Sequence, residues 1–539
     1  MRKLPDISNE IFKRAQWTVA LALSITVVAM LSIRATHAGA LWRDEAATLQ
    51  LAQMPTLTDV AANFQHEAFP PPFPLTIRGY TALFGATDTS LRLFGFLVGV
   101  AFVAVAWFNS RAIADHSPVL VLALIGLNTN FLTWGTTVRG YGLGSVLLLL
   151  TLGLTVRAVT RPRATIACAA VGAAIASVHC LVNAVPVIAA MALSTFLVMA
   201  ALRRWRRAIV VCFSTAICAL SFAPYLKSYL ANDWNIVMTY PATFSSLADK
   251  LRLTLEAQGS FMAALSYVVV PLILIAGTWR LWSLRRQKAS VEFRLLLLLT
   301  IFGGLSILAY CAFLRLLSYP TQPWYYLALL AALAGAVDLV AGILARATCL
   351  RVAQLVLAIS ALILLPFTLS RHINDRLTNI DSVAQTLQER VAAGDLVVVN
   401  PWYFAPSFFR YYEGLAQWIT VPVLNERRIH RYDLVKSKML GADPLREVRS
   451  AVRQTLESGN RVWIVGGARP PEENLPISIQ PAPDPQFGWS AQAYSNIWSL
   501  QLGDFLGRHV LLGAVVISPA NDVSEIENVP LLVAQGWRD

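Results

Sequence analysis

The sequence predicts a multi-pass α-helical membrane protein of about eleven spans, with a C-terminal extracytoplasmic α/β domain. Three observations predict it. Apolar runs of about 20 residues, the length a helix needs to cross a bilayer, recur over the first 370 of the 539 residues. Basic clusters alternate with poorly charged gaps between those runs, the pattern of cytoplasmic and outer loops. Beyond residue 370 the apolar runs shorten to strand patterns separated by amphipathic helices. A composition of 56% hydrophobic and 14% charged residues, with a mean hydropathy of +0.55, excludes an ordinary soluble protein.

Charge separates the two parts. Up to Ser370 there are 28 basic and 13 acidic residues, and from Arg371 onward 16 and 18, so the net +13 belongs to the membrane part. Its clusters fall in short gaps between spans, which argues for cytoplasmic loops and against a nucleic-acid partner. All six cysteines lie within or beside apolar runs, leaving no disulfide framework and no CxxC knuckle.

In chain order, Arg2, Lys3, Lys13 and Arg14 place the N-terminus in the cytoplasm. The first run, Trp17 to Ile33, is long and lacks a cleavage site, so it reads as a retained anchor. It delivers residues 35–88 to the outside. Within that loop, Phe69-Pro70-Pro71-Pro72-Phe73-Pro74 does not suit regular helix, and the apolar Leu75 to Phe84 is too short to span. Further spans are expected at Ser90 to Phe108, Pro118 to Leu132 and Gly142 to Val156. Thr165 to Ala201 is too long for one helix and splits near His179, Asn183 and Pro186. Arg203, Arg204, Arg206 and Arg207 then mark the inside. Five more spans follow, near 209–226, 261–281, 293–314, 324–344 and 352–369, with Arg346 and Arg351 on the inside. The membrane domain is thus residues 1–370 and the α/β domain 371–539. In the latter, Leu396 to Asn400, Arg461 to Val465 and His509 to Ser518 read as strands, with helices at Ser382 to Ala393 and Asp443 to Ser458.

The chemistry concentrates in the first outer loop. Asp44, Glu45, Asp59, Glu67 and Asp88 are five of the membrane part's 13 acids. A carboxylate just past a span stays ionised while facing a lipid-borne substrate. Asp44 also suits the N-cap of a short helix from Ala46 to Gln53. His37, His66, Asp44, Glu45 and Glu67 follow no metal-ligand spacing, and no DxD is present, so neither a metal nor another cofactor is expected. Gly140-Tyr141-Gly142-Leu143-Gly144 lacks the preceding strand of a phosphate loop and reads as helix packing. Asp338, inside a span, reads as a paired structural group.

Four features resemble the GT-C superfamily of membrane glycosyltransferases, in the branch of protein O-mannosyltransferases and the lipid A aminoarabinose transferase. They are Asp44-Glu45-Ala46, the proline run after His66-Glu67, Leu91-Arg92-Leu93-Phe94-Gly95, and Arg139-Gly140-Tyr141. Where the family commonly has a His before its Pro-Pro pair, this chain has Phe69. The resemblance implies a polyprenyl-phosphate sugar donor and a glycan, lipid or protein acceptor at the outer face of the plasma (inner) membrane. It further implies Asp44 as general base, with Glu45 and Glu67 beside it. The donor phosphate would fall to Arg92, Arg139 and Tyr141, with Lys250, Arg252 and Arg315 as weaker candidates. A span-end arginine also extends to lipid headgroups for no catalytic reason. The competing reading is a transporter or flippase of lipid-linked sugars. That reading normally brings internal repeats and mid-membrane charges, and this sequence is poor in both. A non-catalytic scaffold would make the acidic pair dispensable.

Overall fold

The computed structural model describes residues 7–67, 69–112, 116–230, 232–345, 347–369, 373–468 and 477–539. Arg2, Lys3, Arg346 and the expected domain boundary at 370–371 lie outside the described residues. Among these, seven helices are long and apolar enough to cross a membrane: Glu10–His37, Asp88–Ser110, Gly140–Thr160, Val182–Ala201, Ser260–Ser283, Val291–Leu317 and Pro323–Ile343. Ala164–Cys180 and Thr348–Leu364 are shorter apolar helices. The chain is a multi-pass α-helical membrane protein, though the expected number of spans is not reproduced.

The departures have local causes. The run at 118–132 is not one helix: Val119–Val121 passes into a π-turn, Leu122–Gly126, and a new helix, Thr129–Trp134, starts under an Asn128 cap. The Asn128 side chain accepts from the Asn130 N–H, which ends the old ladder and opens the new one. Thr165 to Ala201 does divide, at the 3-10 turn Val182–Ala184, with Pro186 in the first turn of Val185–Ala201. The proline run is less disruptive than expected. Pro72 and Pro74 sit in the first turn of Pro72–Phe84, where a missing N–H is no loss.

The chain forms two compact units. The first comprises Met1–Thr36, Thr89–Lys227 and Ala242–Asn374. Its helices approach closely at small residues. A Cβ on Gly95 would lie 1.8 Å from the Thr136 carbonyl oxygen, and one on Gly142 1.7 Å from that of Gly135. This is the packing role expected for the glycine run. Asp338 is buried and paired: its Oδ2 lies 2.8 Å from His116 Nε2, and its Oδ1 accepts from the Leu120 N–H at 2.8 Å.

The second unit comprises His37–Asp88, Ser228–Pro241 and Asp375–Asp539. Its centre is a five-stranded sheet, β1 Leu396–Asn400, β2 Gln417–Thr420, β3 Arg461–Gly466, β4 Val510–Ile517 and β5 Leu531–Trp537. The order is β2-β1-β3-β5-β4, with the first three parallel and β5 antiparallel to both neighbours. Alternate residues of β1 and β3 feed opposite cores: Leu396, Val398, Val462 and Ile464 on one face, Val397, Val399, Trp463 and Val465 on the other. Burial on both faces is why these strands read as unbroken apolar runs. The first core includes Tyr494, Trp498 and Leu502 of helix Ala491–His509, and Val237 from the 228–241 stretch.

Residues 37–88 are stitched into this unit by polar contacts. Tyr411 and Arg410 bind Asp88 at 2.9 and 2.6 Å, and the Tyr411 hydroxyl accepts from the Leu41 N–H at 2.7 Å. Gln50 donates to the Pro406 carbonyl at 2.8 Å. Arg78 donates to the carbonyls of Ala52 and Met54 at 3.1 and 2.6 Å, satisfying acceptors at the end of helix Arg43–Ala52.

Candidate functional site

Helix Arg43–Ala52 carries the acidic pair, and its start corrects the N-cap expectation. Trp42 holds the N-cap position with extended backbone and no side-chain cap, while Asp44 and Glu45 lie in the first turn. The cap comes from far along the chain. Glu527 Oε2 accepts from the Arg43 N–H at 2.7 Å, and its other oxygen accepts from the Thr378 hydroxyl at 3.0 Å. Burial pushes the Glu527 carboxyl up to about 7, against the opposing pull of Arg43 and the hydroxyls of Ser407 and Thr378.

The two carboxylates of the pair diverge, as adjacent helical residues must. Glu45 is fully buried, whereas the Asp44 side chain keeps 24% of its surface exposed. The N-terminal dipole favours negative charge at both positions. Arg43 Nε lies 3.7 Å from Asp44 Oδ1, and its guanidinium rests over the Tyr403 ring, 4.6 Å from the centroid.

Glu67 follows the 3-10 turn Phe64–His66 and is buried. Its Oε1 accepts from the His430 N–H at 2.9 Å and lies 3.0 Å from His430 Nδ1. The other ring nitrogen, Nε2, lies 4.0 Å from Asp44 Oδ1. Two acids of one loop and a histidine hundreds of positions further on thus form one chain, Glu67–His430–Asp44. Burial opposes charge on His430, but the Glu67 carboxylate, its hydrogen bond and Asp44 outweigh it and raise the pKa.

An aromatic wall flanks this chain. His66 stacks on Trp234 at 5.7 Å, Trp234 on Tyr432 at 5.7 Å, and Trp402 meets Tyr432 edge-on at 5.2 Å. Burial lowers the His66 pKa, with Asp433 opposing. Asp433 is held below the usual carboxylate range: burial works against this, and the Arg431 guanidinium, at 2.6 Å, overrides it. A wall of aromatic faces beside carboxylates suits a ligand that has both C–H faces and hydroxyls.

The sequence reading missed His430, Trp234, Tyr432 and Glu527. The run Glu426-Arg427-Arg428-Ile429-His430-Arg431-Tyr432-Asp433 was a visible signal, being densely charged with a histidine inside it. Nothing local in the sequence pairs that run with Glu67.

Arg92, Arg139 and Tyr141 belong to the other unit. Arg92 is buried on helix Asp88–Ser110, one turn before Gly95. Arg139 is buried at the N-cap position of Gly140–Thr160, three residues after Thr136. The Gly95–Thr136 approach therefore brings the stretches bearing both arginines together. Tyr141 is buried with its ring edge-on to Tyr325 at 5.7 Å. Arg252 forms an ion pair with Glu256 one turn on, at 3.5 Å.

A membrane unit of apolar helices bearing buried arginines, and an α/β unit bearing clustered acids, describe an integral-membrane protein with a polar site. Residues 68–227, which include Arg92, Arg139 and Tyr141, match the family model described as dolichyl-phosphate-mannose-protein mannosyltransferase. This match supports the resemblance to the GT-C superfamily of membrane glycosyltransferases. No curated protein sequence matches the chain. Among solved structures, the chain is similar to ArnT from Cupriavidus metallidurans bound to undecaprenyl phosphate. The identity is 11% and the TM-score 0.49, covering 83% of this chain and 92% of that one. It is also similar to the apo oligosaccharyltransferase of Archaeoglobus fulgidus, at 12% identity and a TM-score of 0.47, covering 83% and 69%. Likenesses this remote assign neither substrate nor residue roles.

Proposed function

We propose that this protein is a membrane glycosyltransferase that moves a sugar from a polyprenyl-phosphate donor to a hydroxyl on a glycan, lipid or protein acceptor. The observation that carries the reading is Asp44. It is a partly exposed carboxylate in the first turn of a helix, within ion-pair distance of a histidine that a second carboxylate holds. The family match over residues 68–227 supports it.

In the proposed reaction Asp44 takes the proton from the acceptor hydroxyl as its oxygen attacks the anomeric carbon. The bond from that carbon to the phosphate oxygen breaks, and polyprenyl phosphate leaves with the electron pair. Arg92 and Arg139 offset the charge that grows on the phosphate, with Tyr141 as a hydroxyl donor. The chemistry takes place at the outer face of the plasma (inner) membrane. The N-terminus is cytoplasmic, the spans within residues 1–370 form the membrane domain, and the first outer loop, 35–88, lies outside with the extracytoplasmic domain 371–539.

The test is to extract polyprenyl-phosphate sugars from cells with and without the gene. One species should accumulate in its absence, while the same sugar disappears from one envelope component. An unchanged lipid-linked pool and an unchanged envelope would refute the reading.

A further inference from the structure

Two nitrogen atoms of one buried ring face two carboxylates. The Glu67 Oε1 that accepts from the His430 backbone N–H at 2.9 Å also lies 3.0 Å from Nδ1. A carboxylate has only lone pairs to offer, so Nδ1 carries a proton. Across the ring, Nε2 lies 4.0 Å from Asp44 Oδ1. A bare lone pair there would face an anion and be repelled, whereas a proton on Nε2 would face it favourably. The ring cannot turn away freely. Trp402 meets it edge-on at 6.2 Å and Tyr432 stacks on it at 6.4 Å.

The charges around it agree. Among the described residues, the groups acting on the ring are Glu67, Asp44 and Arg43. On its own segment Arg431 pairs with Asp433 and Arg428 with Glu426, while the Arg427 guanidinium lies over the Trp418 ring, 4.0 Å from its centroid. Two carboxylates against one guanidinium leave room for one more cation.

We infer that His430, protonated on both nitrogens and anchored on Glu67, is the positioning residue that holds the Asp44 carboxylate in place to receive the acceptor's proton. The inference rests on the reading of Asp44 as the base. His430 touches no reacting atom. It acts through Asp44, and it comes from the C-terminal stretch of the chain. Loss of its Nε2 proton at high pH would remove this contact and leave the Asp44 carboxylate to its other neighbours, among them Arg43 at 3.7 Å. A neutral side chain in its place would remove both the constraint and its pH dependence. The direction of the His430 shift, upward despite burial, fits this arrangement.

Two measurements test it on the full-length protein in lipid nanodiscs. The first needs no substrate. In protein labelled with ¹⁵N-histidine, one of the seven imidazoles should titrate above the usual value of about 6.5. That signal should vanish in His430→Asn and move down in Asp44→Asn and in Glu67→Gln. A His430 titration unmoved by Asp44→Asn overturns the pairing. The second uses, as donor, the lipid-linked sugar extract that accumulates in cells lacking the gene, with membranes of the same cells as acceptor. His430→Asn keeps a donor toward Glu67 and so should fold, which a thermal melt checks. Its turnover should fall about tenfold or more, with the extract concentration for half-maximal rate little changed. The wild type should lose rate on the alkaline side, and that fall should be absent in His430→Asn. An Asp44→Asn variant at full rate would overturn the base itself. Inactive Asp44→Asn beside a His430→Asn that keeps both rate and alkaline fall would overturn only the positioning role. Where His430→Asn fails to fold, the titration of wild type against Asp44→Asn decides.

Discussion

Two carboxylate–histidine pairs in this molecule look alike and are built for opposite ends. In the membrane unit, Asp338 is buried at 3% exposure. One oxygen lies 2.8 Å from His116, and the other accepts from the Leu120 N–H at 2.8 Å and the Val121 N–H at 3.4 Å. Its acceptor capacity is spent on holding the start of a short helix. In the α/β unit, the tight partner of His430 is Glu67, and Asp44 stands off at 4.0 Å with a quarter of its side chain exposed. A carboxylate packed on backbone donors is a structural joint, and one held at arm's length by an oriented imidazole can still take a proton. Burial and partner geometry, not residue type, separate the two.

Replacing each member sharpens that contrast. Asp44→Asn should lower transfer by about 10²–10⁴-fold, the usual contribution of a general base, with the melting temperature unchanged. Asn keeps the size and cannot accept the proton. Glu45→Gln should cost less, because Glu45 is fully buried and diverges from Asp44. Equal loss in both would erase the distinction. Full activity in Asp44→Asn, Glu45→Gln and Glu67→Gln together would remove the acidic cluster from the mechanism.

The next effect falls on the phosphate side. Arg139→Ala should weaken use of the lipid-linked donor, and Arg139→Lys should restore only part of it, since an ammonium lacks the planar fork. Donor binding measured on nanodiscs, unchanged in Arg139→Ala, would move the phosphate role to Arg92.

Asp338→Asn should do the reverse of Asp44→Asn. It should destabilise by about 1–3 kcal/mol through weakened buried hydrogen bonds, seen as a lower melting temperature and yield. Turnover per folded molecule should be normal. A catalytic defect without a stability defect would break the comparison.

The last effect is on pH. Glu527 titrates near 7 in the folded chain against 4.5 as its ordinary value. Folding therefore favours the protonated form. Its stabilisation is fully present below about 4.5, is lost as pH rises toward 7, and is gone above that. The melting temperature should decline across that window, and Glu527→Gln should flatten the decline. A decline of equal slope in Glu527→Gln would assign it to other groups.

Much of the architecture was legible locally. Spans announce themselves by length and apolarity, and the split of residues 165–201 followed from the length of the run and from His179, Asn183 and Pro186 in its middle. Strands β1 and β3 were legible because both of their faces are buried and their runs unbroken. β2 was not, since Gln417–Thr420 is four residues on a sheet edge. Helix Ala491–His509 was missed because polar residues such as Gln492, Asn496 and Gln501 are scattered among its apolar ones, leaving little amphipathic contrast to read. The broken run at 118–132 was invisible to hydropathy, which averages over the window in which Asn128 restarts the helix.

The sequence by itself determined that the chain crosses a membrane many times, ends in an α/β layer, and concentrates its scarce acids in one loop. These follow from composition and period, which are local properties. Only the tertiary structure decided which groups those acids meet. Glu527 caps a helix that begins 484 residues earlier. His430 joins Glu67 across 363 positions. The reason is physical: a buried charge must find its partner in space, and no spacing rule connects residues brought together by the packing of a sheet against a distant loop.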